Sequence, residues 1–303
     1  MLAAVFGLAS ALVFGAADFM GGMAAKYVGA LRTTWLAGIF GLIFLLVFLP
    51  VLGGSFTAVG MFWGAMSGFA GALAIIFLYA SLAIGPMSIL SPLSAVVSAI
   101  VPVAWDLLGG TQLPWYGYIA LVVALVAVVL VGIVPGEGAL RPRWRGVIFA
   151  VIAGVLIGLF FIFINLAPEA DGLAPLVMNR VASVGFTSIL VAGAALLHWA
   201  HQKGKLGRLM KPTSDLATGD AGVLNWKMAI RFAIFGGLFD AIANTLTVFG
   251  LHLGDMAVVT VLVALYPSGT MILAAIFLKE RLAKVQLIGL ILAVASAAVL
   301  AVS

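Results

Sequence analysis

Apolar residues form long stretches along the whole chain, and polar residues cluster in the shorter segments between them. Each stretch approaches or exceeds the length of about 20 residues that an α-helix needs to cross the hydrocarbon core of a bilayer. Ten stretches result when the chain is divided at its charge clusters and Gly/Pro breaks: 2–24, 33–52, 57–84, 86–108, 115–134, 146–167, 174–199, 227–251, 255–278 and 282–302. The pattern therefore predicts ten transmembrane helices.

The composition argues against a soluble protein. Of the 303 residues, 65% are hydrophobic and 8% are charged, and the mean hydropathy is +1.29. A soluble domain is about one-quarter charged, so this chain could not cover a globular surface with polar groups. We therefore predict an all-α integral membrane protein. The chain has no cysteine, which excludes disulfides and cysteine-based metal sites.

The basic residues indicate how the predicted helices are oriented. Fourteen of the 15 Lys and Arg residues lie on the side opposite the amino terminus, and Arg180 is the exception. Cytoplasmic loops of membrane proteins are enriched in Lys and Arg. We therefore expect the basic loops to be cytoplasmic and both termini to lie on the outer side. A wrong number of helices would have scattered the charges, so this sorting also supports the count of ten.

The second half of the chain resembles the first when the sequence is shifted along itself so that Gly85 falls on Gly254. The shift places Gly85-Pro86-Met87 on Gly254-Asp255-Met256 and Thr111-Gln112-Leu113 on Glu280-Arg281-Leu282. Each half holds five predicted helices, and because five is odd, the second half must be inverted relative to the first. We predict two repeats, 1–138 and 139–303. Such inverted repeats are typical of transporters that alternate access around a central site.

The last part of the chain carries a recognisable family motif. It contains Tyr266-Pro267-Ser268-Gly269-Thr270, the segment I-F-L-K-E-R-L at 276–282, Gln286 and Gly289. These residues resemble the end of an EamA domain, and the ten-helix layout resembles the drug/metabolite transporter superfamily. In overall form the chain is most similar to bacterial aromatic amino acid exporters. The first half departs from the motif, because Gly110-Thr111-Gln112-Leu113 stands where the Glu-Arg pair would be.

The resemblance implies a secondary transporter of the cell inner membrane that exports small metabolites, in particular aromatic and other neutral amino acids. The substrate would bind in a central cavity between the repeats. No cofactor, metal ion or nucleic acid is implied, and we expect a monomer embedded in the lipid bilayer. Proton-coupled efflux of drugs or other cationic compounds is the alternative, because the same superfamily contains both activities.

Two charged residues of opposite sign lie inside predicted helices. Asp240 is near the middle of the eighth stretch, and Asn244 follows at helical spacing on the same face. Arg180 lies in the seventh stretch at a similar depth, taking a helical rise of about 1.5 Å for each residue. A charge in hydrocarbon costs roughly 2.5–3.5 kcal/mol on insertion scales and needs a partner or water. We expect Arg180 and Asp240 to pair beside the substrate path; a purely structural pair is the alternative.

Asp18 is the third charged residue inside a predicted helix. It lies about two turns from the cytoplasmic end of the first stretch. One interpretation is that it borders the lipid headgroups. The other is that Asp18 takes part in proton or ion coupling, as Asp240 also could.

Hydroxyl and aromatic residues of the third, fourth and ninth stretches complete the predicted translocation path: Tyr79, Ser91, Ser94, Ser98, Tyr266 and Thr270. The three serines fall on one helical face. Prolines in the fourth and ninth stretches free backbone carbonyls, and paired broken helices in two halves of a transporter mark a central site. Packing and interhelical hydrogen bonds are the alternative use of such residues.

We do not expect an enzyme or a catalytic residue. An intramembrane serine protease needs a histidine at depth, but His198 and His201 lie in the cytoplasmic loop and His252 lies at an outer helix end. The chain has no H-E-x-x-H metal-binding pair and no G-x-x-x-x-G-K phosphate-binding loop. An ion channel would need no inverted repeat, and single-channel conductance would identify one.

Overall fold

The computed structural model describes residues 1–84, 87–132, 144–202, 225–269 and 283–300. Ten α-helices lie in these ranges: α1 Leu2–Val28, α2 Ala30–Leu52, α3 Ala58–Ile84, α4 Met87–Leu108, α5 Trp115–Gly132, α6 Trp144–Asn165, α7 Ala174–Gln202, α8 Trp226–Leu253, α9 Met256–Val263 and α10 Lys284–Leu300. A short turn separates α9 from a further helical turn at 266–269. No β-strand occurs in the described ranges, in agreement with the predicted all-helical fold.

Six of the helices are long and apolar enough to cross a membrane: Leu2–Ala25, Leu31–Pro50, Ala58–Leu78, Trp144–Asn165, Ala174–Leu196 and Trp226–Leu253. Four apolar helices are shorter over the described residues: Leu93–Leu108, Trp115–Leu130, Met256–Gly269 and Lys284–Leu300. The protein is therefore a helical membrane protein. For the four shorter helices, a complete crossing stays a prediction.

The connections between the helices are short where the structure describes them. Gly29 alone joins α1 to α2, with a φ of 82° that only glycine adopts without strain. At the start of α8, the side chain of Asn225 accepts a hydrogen bond from the Met228 amide at 3.2 Å. This bond satisfies one of the amides that a helix start leaves without a partner.

The helices of the two halves are interleaved. α1 packs along α8, α3 along α6, α2 and α3 against α7, and α2 also against α8. α4 contacts α6 and α9, α1 contacts α9, and α5 lies along α10. Each helix of one half can be replaced by its counterpart in the other half, which is five places away in the chain. This replacement converts the pair α1 and α8 into α6 and α3, and the pair α2 and α8 into α7 and α3. The helix pairs named here therefore recur in both halves.

Glycines allow the closest of these helix contacts. A Cβ atom at Gly68 of α3 would lie 2.3 Å from the Asn179 carbonyl oxygen of α7. A Cβ atom at Gly237 of α8 would lie 2.3 Å from the Ala37 carbonyl oxygen of α2. Small residues let membrane helices approach to backbone contact in this way. The sequence shift that relates the two halves places Gly68 on Gly237, so the two close contacts are equivalent.

Two aspartates organise the side of the bundle on which α1 begins. Asp171 is fully buried, and its carboxylate accepts hydrogen bonds from the hydroxyls of Ser55, at 2.8 Å, and Thr57. These bonds join the α2–α3 connection to the α6–α7 connection. Asp106 of α4 accepts a hydrogen bond from the Ala257 amide at 2.8 Å and so caps α9. Partial burial, and then repulsion by Asp106, raises the pKa of neighbouring Asp255.

Candidate functional site

Arg180 and Asp240 form an ion pair between α7 and α8. Both helices pack against α2, and the Arg180 Nη2 atom donates to Asp240 Oδ2 across the space between them. The side chains are 13% and 30% exposed, so the pair lies inside the bundle but is not sealed from water. Asp240 lies roughly 13 residues, or about 20 Å, from the end of α8 at Leu253. The structure thus brings together the two residues that their depths predicted to meet.

Asn244 lies next to this pair but is bonded to its own helix. Its Nδ2 donates to the Asp240 backbone carbonyl at 2.8 Å, and the residue is only 3% exposed. One turn further along, the Thr247 and Ser10 hydroxyls share a hydrogen bond of 2.7 Å, and Ser10 also donates to the Ala243 carbonyl. These bonds hold α1 against the Asp240-bearing face of α8.

Three buried polar atoms near this depth have no hydrogen-bond partner within the described structure: Arg180 Nε, Ser94 Oγ and Ser268 Oγ. Ser94 precedes Asp106 by about three helical turns, and Ser268 follows Ala257, the residue that Asp106 caps, by about three turns. Both hydroxyls therefore lie about 18 Å from that contact along their helices. A buried polar group without a partner costs free energy, so such groups commonly indicate water or a ligand.

Ser98 differs from Ser94, although both were predicted to line the path. Its hydroxyl donates to the Ala95 carbonyl of its own helix at 2.8 Å, which leaves the oxygen only as an acceptor. Ser268 was not among the predicted residues. The available signal was its place beside Pro267 in the family motif, since proline breaks the helix and leaves neighbouring polar groups exposed at depth.

Asp18 faces the interior of the bundle and yet is exposed. It lies on the same face of α1 as Ala4, Gly7 and Ala11, which are all buried against protein. Asp18 itself is exposed, so its carboxylate reaches open space on a face of α1 that elsewhere packs against protein. The α1 backbone on both sides of Asp18 packs against α8 one turn before Asp240. A Cβ atom at Gly236 would lie 3.6 Å from the Ala17 carbonyl oxygen and 3.5 Å from the Gly21 amide nitrogen.

The other predicted residues contribute less to this picture. Tyr266 is half-buried against the cluster of apolar side chains that joins α4, α5, α9 and α10. Thr270 lies outside the described residues, and so do the side chains of Tyr79 and Ser91. Over the described ranges, no three His, Asp or Glu side chains come together as a metal-binding group.

Comparisons with known proteins give one family and one fold. The profile of the EamA-like transporter family matches residues 144–302, which coincide closely with the second predicted repeat. A protein solved by crystallography has the same fold, with a TM-score of 0.67 and 16% sequence identity, and the match covers 98% of this chain and 95% of that one. No curated protein matches the sequence.

Proposed function

The chain belongs to the EamA-like transporter family and is a membrane transporter of small solutes, and from this premise we propose that it exports amino acids, aromatic and other neutral ones, out of the cytoplasm. In this proposal two inverted repeats, 1–138 and 139–303, alternate access to a site between them. The repeats are supported by the helix pairs that are converted into one another when each helix is replaced by its counterpart five places away in the chain. Both termini face outward, as the distribution of Lys and Arg favours.

The observation that carries the proposal is the partly satisfied ion pair. A neutral amino acid is a zwitterion, so its site needs a donor for the carboxylate and an acceptor for the ammonium group. Arg180 keeps a buried, unpartnered Nε beside the Asp240 carboxylate. Arginine can bind a second carboxylate through this free edge of the guanidinium group. Asp240 then accepts the substrate ammonium.

The serine hydroxyls complete the polar lining of the proposed site. Ser94 and Ser268 have buried hydroxyls that are free to bond a substrate, and Ser98 offers an acceptor. Polar groups that the protein does not satisfy favour specificity, since a substrate that lacked matching groups would leave them unpaired. We include Tyr79, Ser91, Asn244, Tyr266 and Thr270 in the translocation path on the basis of their sequence positions.

Efflux of cationic compounds is a second candidate function, and one observation favours it. Asp18 and Asp240 are two carboxylates on packed segments of α1 and α8, whereas Arg180 supplies a single positive charge. When both carboxylates are ionised, the three side chains carry a net charge of −1. A site with this charge attracts a cation.

Reconstitution into liposomes tests the proposed function. Vesicles are loaded with a panel of radiolabelled amino acids or with fluorescent cationic dyes, and efflux is followed with and without a proton gradient. We expect neutral amino acids, phenylalanine among them, to leave at least tenfold faster than from protein-free vesicles. Efflux of dyes alone would support the second candidate, and movement of neither class would contradict both.

A further inference from the structure

The charge of the candidate site depends on a single side chain. Arg180 and Asp240 neutralise each other in their ion pair, so the net charge of the three residues is set by Asp18. With Asp18 protonated the site is neutral, and with Asp18 ionised it carries one negative charge. A neutral site accepts a neutral zwitterion without leaving a charge uncompensated in the membrane. A site with one negative charge is neutralised by a cation instead.

Among the described side chains of the neighbouring helices, no other group takes over this role; on α1 itself, Lys26 follows Asp18 by eight residues, and its side chain lies outside the described residues. The helices packed against α1 are α2, α8, α9 and α10. Their charged residues, apart from Asp240, are in the first two turns of a helix: Arg32 of α2, Lys227 and Arg231 of α8, and Lys284 of α10. The titratable His252 lies in the last turn of α8, and α9 carries no charged residue. Asp240 lies one turn after Gly236, which packs against Ala17 and Gly21 on either side of Asp18.

The position of Asp18 lets it exchange protons with water. Its side chain reaches open space on a face of α1 that elsewhere packs against protein. The described structure contains no ion pair to Asp18, in contrast to Asp240. Nothing described therefore holds Asp18 permanently in its ionised form, and its protonation can follow the pH on the side to which the site opens.

We propose that Asp18 is a pH-dependent selectivity switch, which admits zwitterionic amino acids when it is protonated and cationic amines when it is ionised. The proposal rests on the proposed function and names the regulation of the same site. When an amine binds to the protonated form, the O–H bond of Asp18 breaks, the proton passes to water, and the ammonium group takes its place. A zwitterion binds with no such proton release, because the site is already neutral.

Phenylalanine and phenethylamine, its decarboxylated counterpart, test the switch in proteoliposomes over a range of pH. We expect phenethylamine transport to fall about tenfold per pH unit on the acid side of the Asp18 pKa, where the proton competes with the amine. Phenylalanine transport should persist there. Asp18→Asn should make the ratio of phenylalanine to phenethylamine transport independent of pH and lower phenethylamine transport at least tenfold. Asp255→Asn, an acidic residue outside the helices, is the matched control and should behave as the unmodified protein.

Proton release on binding separates the switch from a structural role of Asp18. Calorimetry in buffers of different ionisation enthalpy counts the protons released by the purified protein. On the acid side we expect about one proton per phenethylamine and none per phenylalanine, and no release from Asp18→Asn with either compound. Asp18→Glu should restore the release. Equal release by Asp18→Asn, or pH-independent selectivity in the unmodified protein, would overturn the switch.

The two proposals fail in different ways. If phenylalanine moves at no pH, the amino-acid function is wrong and so is the switch between zwitterions and amines, whatever the pH dependence of phenethylamine transport. If phenylalanine moves and phenethylamine is not transported at any pH, the switch is wrong and the amino-acid function stands.

Discussion

Arg180→Ala should reduce the initial rate of amino-acid transport at least 100-fold. The substitution removes the donor proposed for the substrate carboxylate and leaves Asp240 without its partner. Truncating one partner of a buried, hydrogen-bonded charge pair at a binding site costs about 2–5 kcal/mol of binding free energy, and about 2.8 kcal/mol corresponds to 100-fold. The partial exposure of Asp240, at 30%, places the expected effect at the lower end of this range. Initial rates of radiolabelled phenylalanine exchange in proteoliposomes measure it.

Two further variants separate substrate binding from helix packing. Arg180→Lys keeps the charge but loses the Nε donor and the planar fork, so we expect an intermediate loss of about tenfold. The double variant Arg180→Ala with Asp240→Ala removes both charges and should recover thermal stability without recovering transport. Normal transport by the double variant would mean that the pair only ties α7 to α8.

Gly68→Ala should destabilise the protein and impair transport at the same time. The added methyl group would lie 2.3 Å from the Asn179 carbonyl oxygen, and backbone cannot yield as a flexible side chain does. Overpacking of this kind costs about 1–3 kcal/mol. Because Asn179 directly precedes Arg180, the displacement of α7 also moves the guanidinium group away from Asp240. A lower unfolding temperature in detergent and slower phenylalanine exchange are the expected results.

Gly185→Ala is the matched control on α7. Apart from the backbone of its own helix turn and its chain neighbours, no atom of the described residues lies within 4 Å of the position that its Cβ would occupy, so the methyl group meets no steric barrier. Alanine also favours a helix over glycine by up to about 1 kcal/mol. We therefore expect an unchanged or raised unfolding temperature and normal transport. Equal destabilisation by both substitutions would contradict the importance of the close α3–α7 contact.

The helices and the ion pair could be predicted from the sequence for a simple physical reason. Hydrocarbon thickness fixes the length of a membrane helix, so the number of residues from a helix end gives the depth of each side chain. In an apolar interior, two side chains of opposite charge at similar depth have few other partners with which to form an ion pair. Arg180 and Asp240 therefore met as expected, although 60 residues separate them.

Contacts that depend on how a helix is rotated about its axis, or on how a loop folds, could not be predicted from depth. The sequence places Asp171 between two apolar stretches but does not show that it binds Ser55 across 116 residues of sequence, where two connections fold together. Asn244 shares a face with Asp240, but spacing does not reveal that its amide bonds its own helix. Ser268 likewise differs from the other serines by its buried hydroxyl, which has no hydrogen-bond partner in the described structure, and the sequence does not show this difference.

The position of Asp18 shows the same limit. Its depth alone fitted both a headgroup border and a coupling site, because depth does not say which side of the helix faces the bundle. The burial of Ala4 and Ala11 on the Asp18 face of α1 turns that face toward the other helices, whereas coupling by Asp18 stays a prediction. That information comes from the packing of α1 on α8, which joins residues far apart in the sequence, such as Ser10 and Ala243.

The central claim is that the Arg180–Asp240 pair recognises both charges of a zwitterion. The most direct measurement compares the initial rates at which external phenylalanine, N-acetylphenylalanine and phenylalanine methyl ester drive exchange of internal radiolabelled phenylalanine at mildly acidic pH. The N-acetyl compound lacks the ammonium group, and the ester lacks the carboxylate. The proposed site predicts that each analogue is at least tenfold slower than phenylalanine. Equal rates for all three compounds would contradict it.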